Sequence, residues 1–278
     1  MRVRVIAFTT LVSALAACGG SSANAPPAGA VAPAPNHFRF GPSVTSYEGV
    51  SHRVVERSVD GRMQRDGFVL LYHLTAEIRD ADSTLMASFI IDTVLDATAQ
   101  NILPKEIGSA TGIRFNASLS STGVLGPLAG GDATSILSGQ LARQIEGFLP
   151  RLSQDGLRPN STWMDTTETT RDDAGAEIAV RAVTQYRSED WRPDEAGRQV
   201  LTVYWDRTYE LHGSGDQFGQ PFTIEGTGTV RGVSLLSGDG VLLGSMREDE
   251  FTGQMLLVEF DEIRQIRQTQ ADTIRVRQ

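Results

Sequence analysis

The chain has 278 residues, 40% hydrophobic and 7% aromatic, with 25 basic residues against 34 acidic ones and a formal charge of −9. So acidic a chain argues against nucleic acid as a partner, and it gains no electrostatic attraction to an anionic membrane surface. Its only cysteine, Cys18, excludes an internal disulfide, which needs a pair.

Met1-Arg2-Val3-Arg4 is a basic segment, Val5 to Leu15 is apolar, and Leu15-Ala16-Ala17-Cys18 follows. The apolar run is shorter than the roughly 20 residues a membrane span needs. Small residues directly before a cysteine read as a bacterial lipoprotein signal peptide over residues 1–17, with Cys18 as the lipidation site and mature N-terminus. Loss of Arg2 and Arg4 takes the formal charge from −9 to about −11. Each buried methylene contributes about 0.8 kcal/mol, so several acyl chains hold the protein stably. The expected address is the cell envelope. Gly19 replaces the Asp that favours inner-membrane retention, so in a diderm host the outer membrane, facing the periplasm, is expected. Residues 18–36 carry Pro, Ala, Gly and Ser with no charge or aromatic, and read as a flexible tether.

Residues 37–278 read as one β-rich domain. Phe68, Leu70, Tyr72, Leu74, Ala76 and Ile78 alternate with other residues. Leu201, Val203, Trp205, Tyr209 and Leu211 repeat the pattern against Thr202, Tyr204, Asp206, Thr208 and Glu210, and Phe89 to Leu95 do so more weakly. Period two with one apolar face predicts half-buried strands. Turn signals stand at Asp60-Gly61, Asp82-Ser83, 172–175, 195–197, Gly213–Asp216 and 237–240. Roughly ten strands follow, connected mostly as an antiparallel meander. Many run to about 12–17 residues, so the sheet must twist and curl strongly. Gly226, Gly228 and Gly232 share a face with Ile224 and Val230. Glycines inside a strand mark sharp bends or close approach to the backbone.

One segment changes period. Between Asp132 and Leu149, Leu137, Leu141, Ile145 and Phe148 recur at helical spacing, with Asp132 as the expected N-cap and Pro150 as the stop. The predicted fold is therefore mainly β: four strands, an amphipathic helix, then about six strands. They form a large, strongly curved antiparallel sheet, an open half-barrel with the helix on its concave face.

The chemistry-bearing residues form no motif. His37, His52, His73 and His212 lack metal-ligand spacing, so no metal and no cofactor are expected. No nucleophile elbow, P-loop or dinucleotide fingerprint is present. A hydrolase would need two carboxylates facing across a cleft, whereas most acidic pairs, such as Asp172/Asp173 and Asp194/Glu195, fall at turn tips. A non-enzymatic protein is expected.

Phe148-Leu149-Pro150-Arg151-Leu152, Asn160-Ser161-Thr162-Trp163, Asp165-Thr166-Thr167 and Gly226-Thr227-Gly228 resemble an uncharacterised family of bacterial lipoproteins. In that family a helix leads through a Leu-Pro turn to a Gly-Asp-Ser-Trp strand start and later a Gly-Thr-Gly strand. Here Asn160-Ser161-Thr162 departs from the Gly-Asp-Ser. The predicted architecture is also similar to the LolA, LolB and LppX carriers. This second resemblance implies an apolar ligand, a lipid or an acylated protein, between sheet and helix. Its contacts would be Leu137, Leu141, Ile145, Phe148, Leu201, Val203, Trp205, Gly226 and Gly228. The alternative is a scaffold that offers strand edges or hairpins to other envelope proteins, none of which the sequence names.

Overall fold

The computed structural model describes Pro35 and residues 37–277, apart from 60, 83, 99–103, 133, 134, 174, 175 and 218. Cys18 and most of the 18–36 segment lie outside the described residues. The alternating segments form β1 (Ser43–Val59), β2 (Arg62–Ala81), β3 (Thr84–Asp96), β4 (Arg114–Leu119) and a two-residue β5 (Ala129–Gly130). After the helical segment come β6 (Thr162–Asp173), β7 (Ala176–Ser188), a two-residue β8 (Arg192–Pro193), β9 (Gln199–Gln217), β10 (Gln220–Ser237), β11 (Val241–Leu257) and β12 (Glu262–Val276). Setting the two-residue strands aside leaves four strands before the helix and six after it.

All pairings are antiparallel, and the strand order is β5-β4-β3-β2-β1-β12-β11-β10-β9-β7-β6, with β8 on β9. The sheet is open. The chain starts at its middle and meanders to one edge. It crosses through the helical segment to the other edge and meanders back until β12 pairs with β1, Tyr47 opposite Val276. The crossing explains the helix: a segment joining opposite edges must pass over one face, and an apolar stripe lets it bury that face on the way.

The helix α2 spans Ile136–Glu146, shorter than residues 132–149. Its N-cap is Ser135, whose Oγ accepts from the Ser138 amide at 3.2 Å. Asp132 instead sits in the preceding turn, where its carbonyl accepts from the Ser135 amide. Gly147 closes the helix, its N–H bonded to the Ile145 carbonyl. A second helix, α1 (Pro104–Ala110), has no counterpart in the sequence expectations; at seven residues it is too short to show a periodic stripe.

Gly213–Asp216, expected as a hairpin tip, lies inside β9. The turn comes later, with Gly219 at φ +80°. Gly213 is needed for closeness: a Cβ there would stand 2.9 Å from the Glu177 carbonyl oxygen and 3.1 Å from Ile178 and Ile224.

The strands are long, 20 residues in β2 and 19 in β9, and their two halves differ. At one end α1 and α2 lie on the inner face over a large core that includes Leu70, Leu74, Phe89, Phe115, Leu201 and Leu236. At the far end only a small cluster forms, Ala176, Phe222 and Leu257 with Ile178, Ile224 and Met255 against it.

Candidate functional site

The expected ligand contacts divide into two groups. Leu137, Leu141, Ile145 and Phe148 on the α2 side and Leu201, Val203 and Trp205 on the sheet belong to one buried cluster. Phe148 is edge-on to Tyr47 at 5.0 Å and to Phe89 at 5.8 Å between ring centroids. Where α2 ends over β2, β11 and β12, a gap of about 20 Å³ remains, lined by Tyr72, Gln144, Phe148, Arg247, Asp272 and Ile274 among others. One water fits such a gap, whereas small-molecule pockets run to roughly 300–1,000 Å³. These side chains pack against one another there.

Gly226 and Gly228 are covered by rings from neighbouring strands. A Cβ on Gly228 would lie 2.2 Å from Cζ of Tyr209, and one on Gly226 would lie 2.5 Å from Cζ of Phe251. Gly49 under Tyr72 and Gly232 under Trp205 repeat the device. An aromatic laid over a cross-strand glycine keeps a curved sheet packed where a side chain would not fit. What approaches the backbone here is the protein's own rings.

Between the large core and the far cluster the inner face turns polar. Arg247 Nε donates to Asp272 Oδ2 at 2.6 Å, and Gln270 Nε2 donates to both oxygens of the same carboxylate. Burial works against the Arg247 charge, but Asp272, Tyr72 and Asp249 together hold the guanidinium above its ordinary pKa. Burial, with Asp272 beside it, pushes the Tyr72 phenol up as well. Tyr209 donates to Asp249 Oδ1 at 3.0 Å. Burial still raises the Asp249 carboxyl, against the pull of Tyr209 and Arg247. Ser51 Oγ, opposite Asp272, and Gln144 Oε1, beside Arg247, are buried without a hydrogen-bond partner among the described residues, and the network marks where the apolar core stops.

The turn-tip carboxylate of Asp194 is held by its own turn. Asp194 accepts from the amides of Ala196 and Arg198 at 3.0 and 2.8 Å and pairs with the Arg198 side chain at 2.8 Å. Among the described residues no group of three or more His, Cys, Asp or Glu is placed to hold a metal ion. No helix there is long and apolar enough to cross a membrane.

The outer face holds two features that the sequence reasoning missed. The first is an apolar row. Tyr204 on β9 stands opposite Val233 on β10, Val233 opposite Met246 on β11, and Met246 opposite Thr273 on β12. Thr273 faces Val50 on β1, Val50 faces Leu71 on β2, and Leu71 faces Leu95 on β3. The row crosses seven strands, about 29 Å at 4.8 Å per strand, with one threonine interrupting it. Met246 is 54% exposed and Leu95 60%. The Arg187 guanidinium lies over the Tyr204 ring at 4.7 Å and caps one end. Charged residues flank the row: Glu48 paired with Arg275 on one side, Asp206 with Arg231 on the other. Each strand contributes a single residue, so no local window shows the row. Only the register does.

The second feature is a hollow of about 460 Å³ farther along β9 to β12, lined by Glu210, His212, Glu225, Thr227, Thr252, Gln254 and Gln265, with the backbones of Gly226 and Gly253. His212, Glu225, Gln254 and Gln265 form one cross-strand row, and Gly226 pairs with Gly253. Tyr204 and His212 are eight residues apart on β9, about 26 Å, so row and hollow are separate.

No family model matches the chain, and no curated protein does. Among solved structures it is similar to Neisserial surface protein A (NspA), at 9% identity and a TM-score of 0.22, over 84% of this chain and 98% of that one. A likeness at that score carries nothing across to this protein.

Proposed function

We propose that the chain is a non-enzymatic lipoprotein of the bacterial cell envelope, held by acyl groups on Cys18, that serves as an assembly scaffold for another envelope protein. The observation that carries this reading is the exposed apolar row Tyr204–Leu95 on the outside of a sheet whose helix-covered interior is filled. Soluble proteins seldom leave contiguous apolar surface to water, and such surface rimmed by charge marks a contact site. The lipobox at Leu15–Cys18 supports the address, and the lack of any nucleophile, metal or cofactor motif supports a non-catalytic role.

The test is in-cell photo-crosslinking from position 95, at the exposed end of the row. One partner captured in stoichiometric amount is expected, in the membrane fraction. Val50→Glu and Met246→Glu abolish the capture without changing the unfolding midpoint, since both sites are exposed. Cys18→Ser moves the protein to the soluble fraction. Capture that survives both row substitutions refutes the scaffold reading. Membrane retention of Cys18→Ser refutes the anchor.

A further inference from the structure

We infer that the hollow on β9 to β12 binds a saccharide, uncharged or amine-bearing, and that it does so independently of the apolar row.

The hollow is built by the sheet itself. Gly226 and Gly253 face each other across β10 and β11, where a Cβ on the first would stand 2.6 Å from the Thr252 carbonyl oxygen and one on the second would meet that of Glu225. The Phe251 ring fills the inner side of this crossing. The two glycine backbones form part of its floor. Larger residues cannot replace them, so the depression is fixed by backbone packing and does not depend on side-chain rotamers. It is an open depression on the sheet surface, about 460 Å³ in volume, lined by mostly exposed side chains.

The lining sets the ligand chemistry. It holds two carboxylates, two carboxamides, two hydroxyls and an imidazole, and neither an aromatic residue nor a cation. An apolar ligand would leave these groups desolvated and unpaired. An anion would face Glu210 and Glu225, and Arg267, opposite Thr252 on β12, stands outside the lining. The remaining match is a molecule dense in hydroxyls or amines, whose groups both donate and accept, as carboxamides and hydroxyls do. Gln254 Nε2 already donates to Glu225 Oε1 at 2.6 Å, which orients both side chains. Their other oxygens, and the side chains of Glu210, His212, Thr227, Thr252 and Gln265, make no hydrogen bond to protein among the described residues. A row of such groups across four strands suits consecutive sugar units.

The experiment is calorimetric titration of the purified full-length protein with three probes: an N-acetylglucosamine trisaccharide, a polygalacturonate oligomer and trilysine. The trisaccharide is expected to bind with a dissociation constant of about 1 mM or tighter, and polygalacturonate is not. Glu225→Ala/Gln254→Ala weakens trisaccharide binding at least about tenfold. Its urea midpoint stays unchanged, because the glycine floor and the Phe251 ring are untouched. Absence of trisaccharide binding overturns the inference, as does binding undiminished in the double variant. Binding of trilysine alone also overturns it, and identifies a basic peptide segment as the occupant instead. Trisaccharide binding retained in Val50→Glu/Met246→Glu shows that the site is independent of the row.

Discussion

Phe148→Ala tests whether α2 seals a filled core. The ring is buried, and it touches Tyr47 on β1 and Phe89 on β3 edge-on. A buried aromatic removes about 150–250 Å² from water, worth about 4–6 kcal/mol at 25 cal/mol per Å². The alanine methyl keeps a small part of that, and partial collapse of the chain around the site returns some more. Loss of two edge-to-face contacts adds about 0.5–1.5 kcal/mol each. The net is about 4 kcal/mol, inside the range of about 3–5 measured for such truncations. Urea unfolding followed by tryptophan fluorescence should show the midpoint falling by about 1.5 M with an unchanged slope. Trp163 and Trp191 pack against the same core and report on it. A loss below about 1 kcal/mol refutes the reasoning, because a side chain lining an open ligand cavity surrenders few protein contacts when truncated.

Gly228→Ala should destabilise by about 1–3 kcal/mol in the same assay, since the new methyl would have to displace the Tyr209 ring. Arg247→Met leaves the Asp272 carboxylate buried without its cation and should cost about 3–5 kcal/mol, while Arg247→Met/Asp272→Leu should recover most of that loss. Asp249→Asn should stabilise the protein at neutral pH. The folded-state pKa of Asp249 is raised by burial, so its contribution is fully present below the unfolded carboxylate value near 4 and is lost as pH rises through the raised folded value. Thermal melts should therefore show the variant's advantage appearing above about pH 4 and vanishing below it; an advantage that grows toward acid pH contradicts the assignment.

The alternation in Phe68–Ile78 and Leu201–Leu211 was enough to place the strand faces, because period two is written into each strand separately. The α2 stripe was legible for the same reason: Leu137, Leu141 and Ile145 sit at one helical spacing in one short window. Features that depend on distant register were not. Tyr204 reads as one member of a polar face until its neighbours Val233 and Met246 are lined up beside it, and those lie on other strands. Gly226 reads as a bend or a place of close approach, and the Phe251 ring lies against it. That its partner would be Gly253, and that the pair would floor a hollow on the opposite face, requires the β10–β11 pairing. The N-cap was misplaced because Asp132 and Ser135 are both good caps. The choice fell to Ser135, whose Oγ also donates to Glu106 on α1, a contact no local rule contains.

The pairing of β1 with β12 sets the order of assembly. These two strands lie near the middle of the sheet, yet more than two hundred residues separate Tyr47 from its partner Val276. Until β12 is available, β1 is an open edge, and the two halves of the sheet are separate meanders with nothing to join them across the centre. Sheets dominated by such distant contacts fold in milliseconds to seconds. A chain delivered from its N-terminus thus completes its core only once β12 arrives. Loss of β12 would leave two exposed edges at the centre, each a template for pairing with other chains.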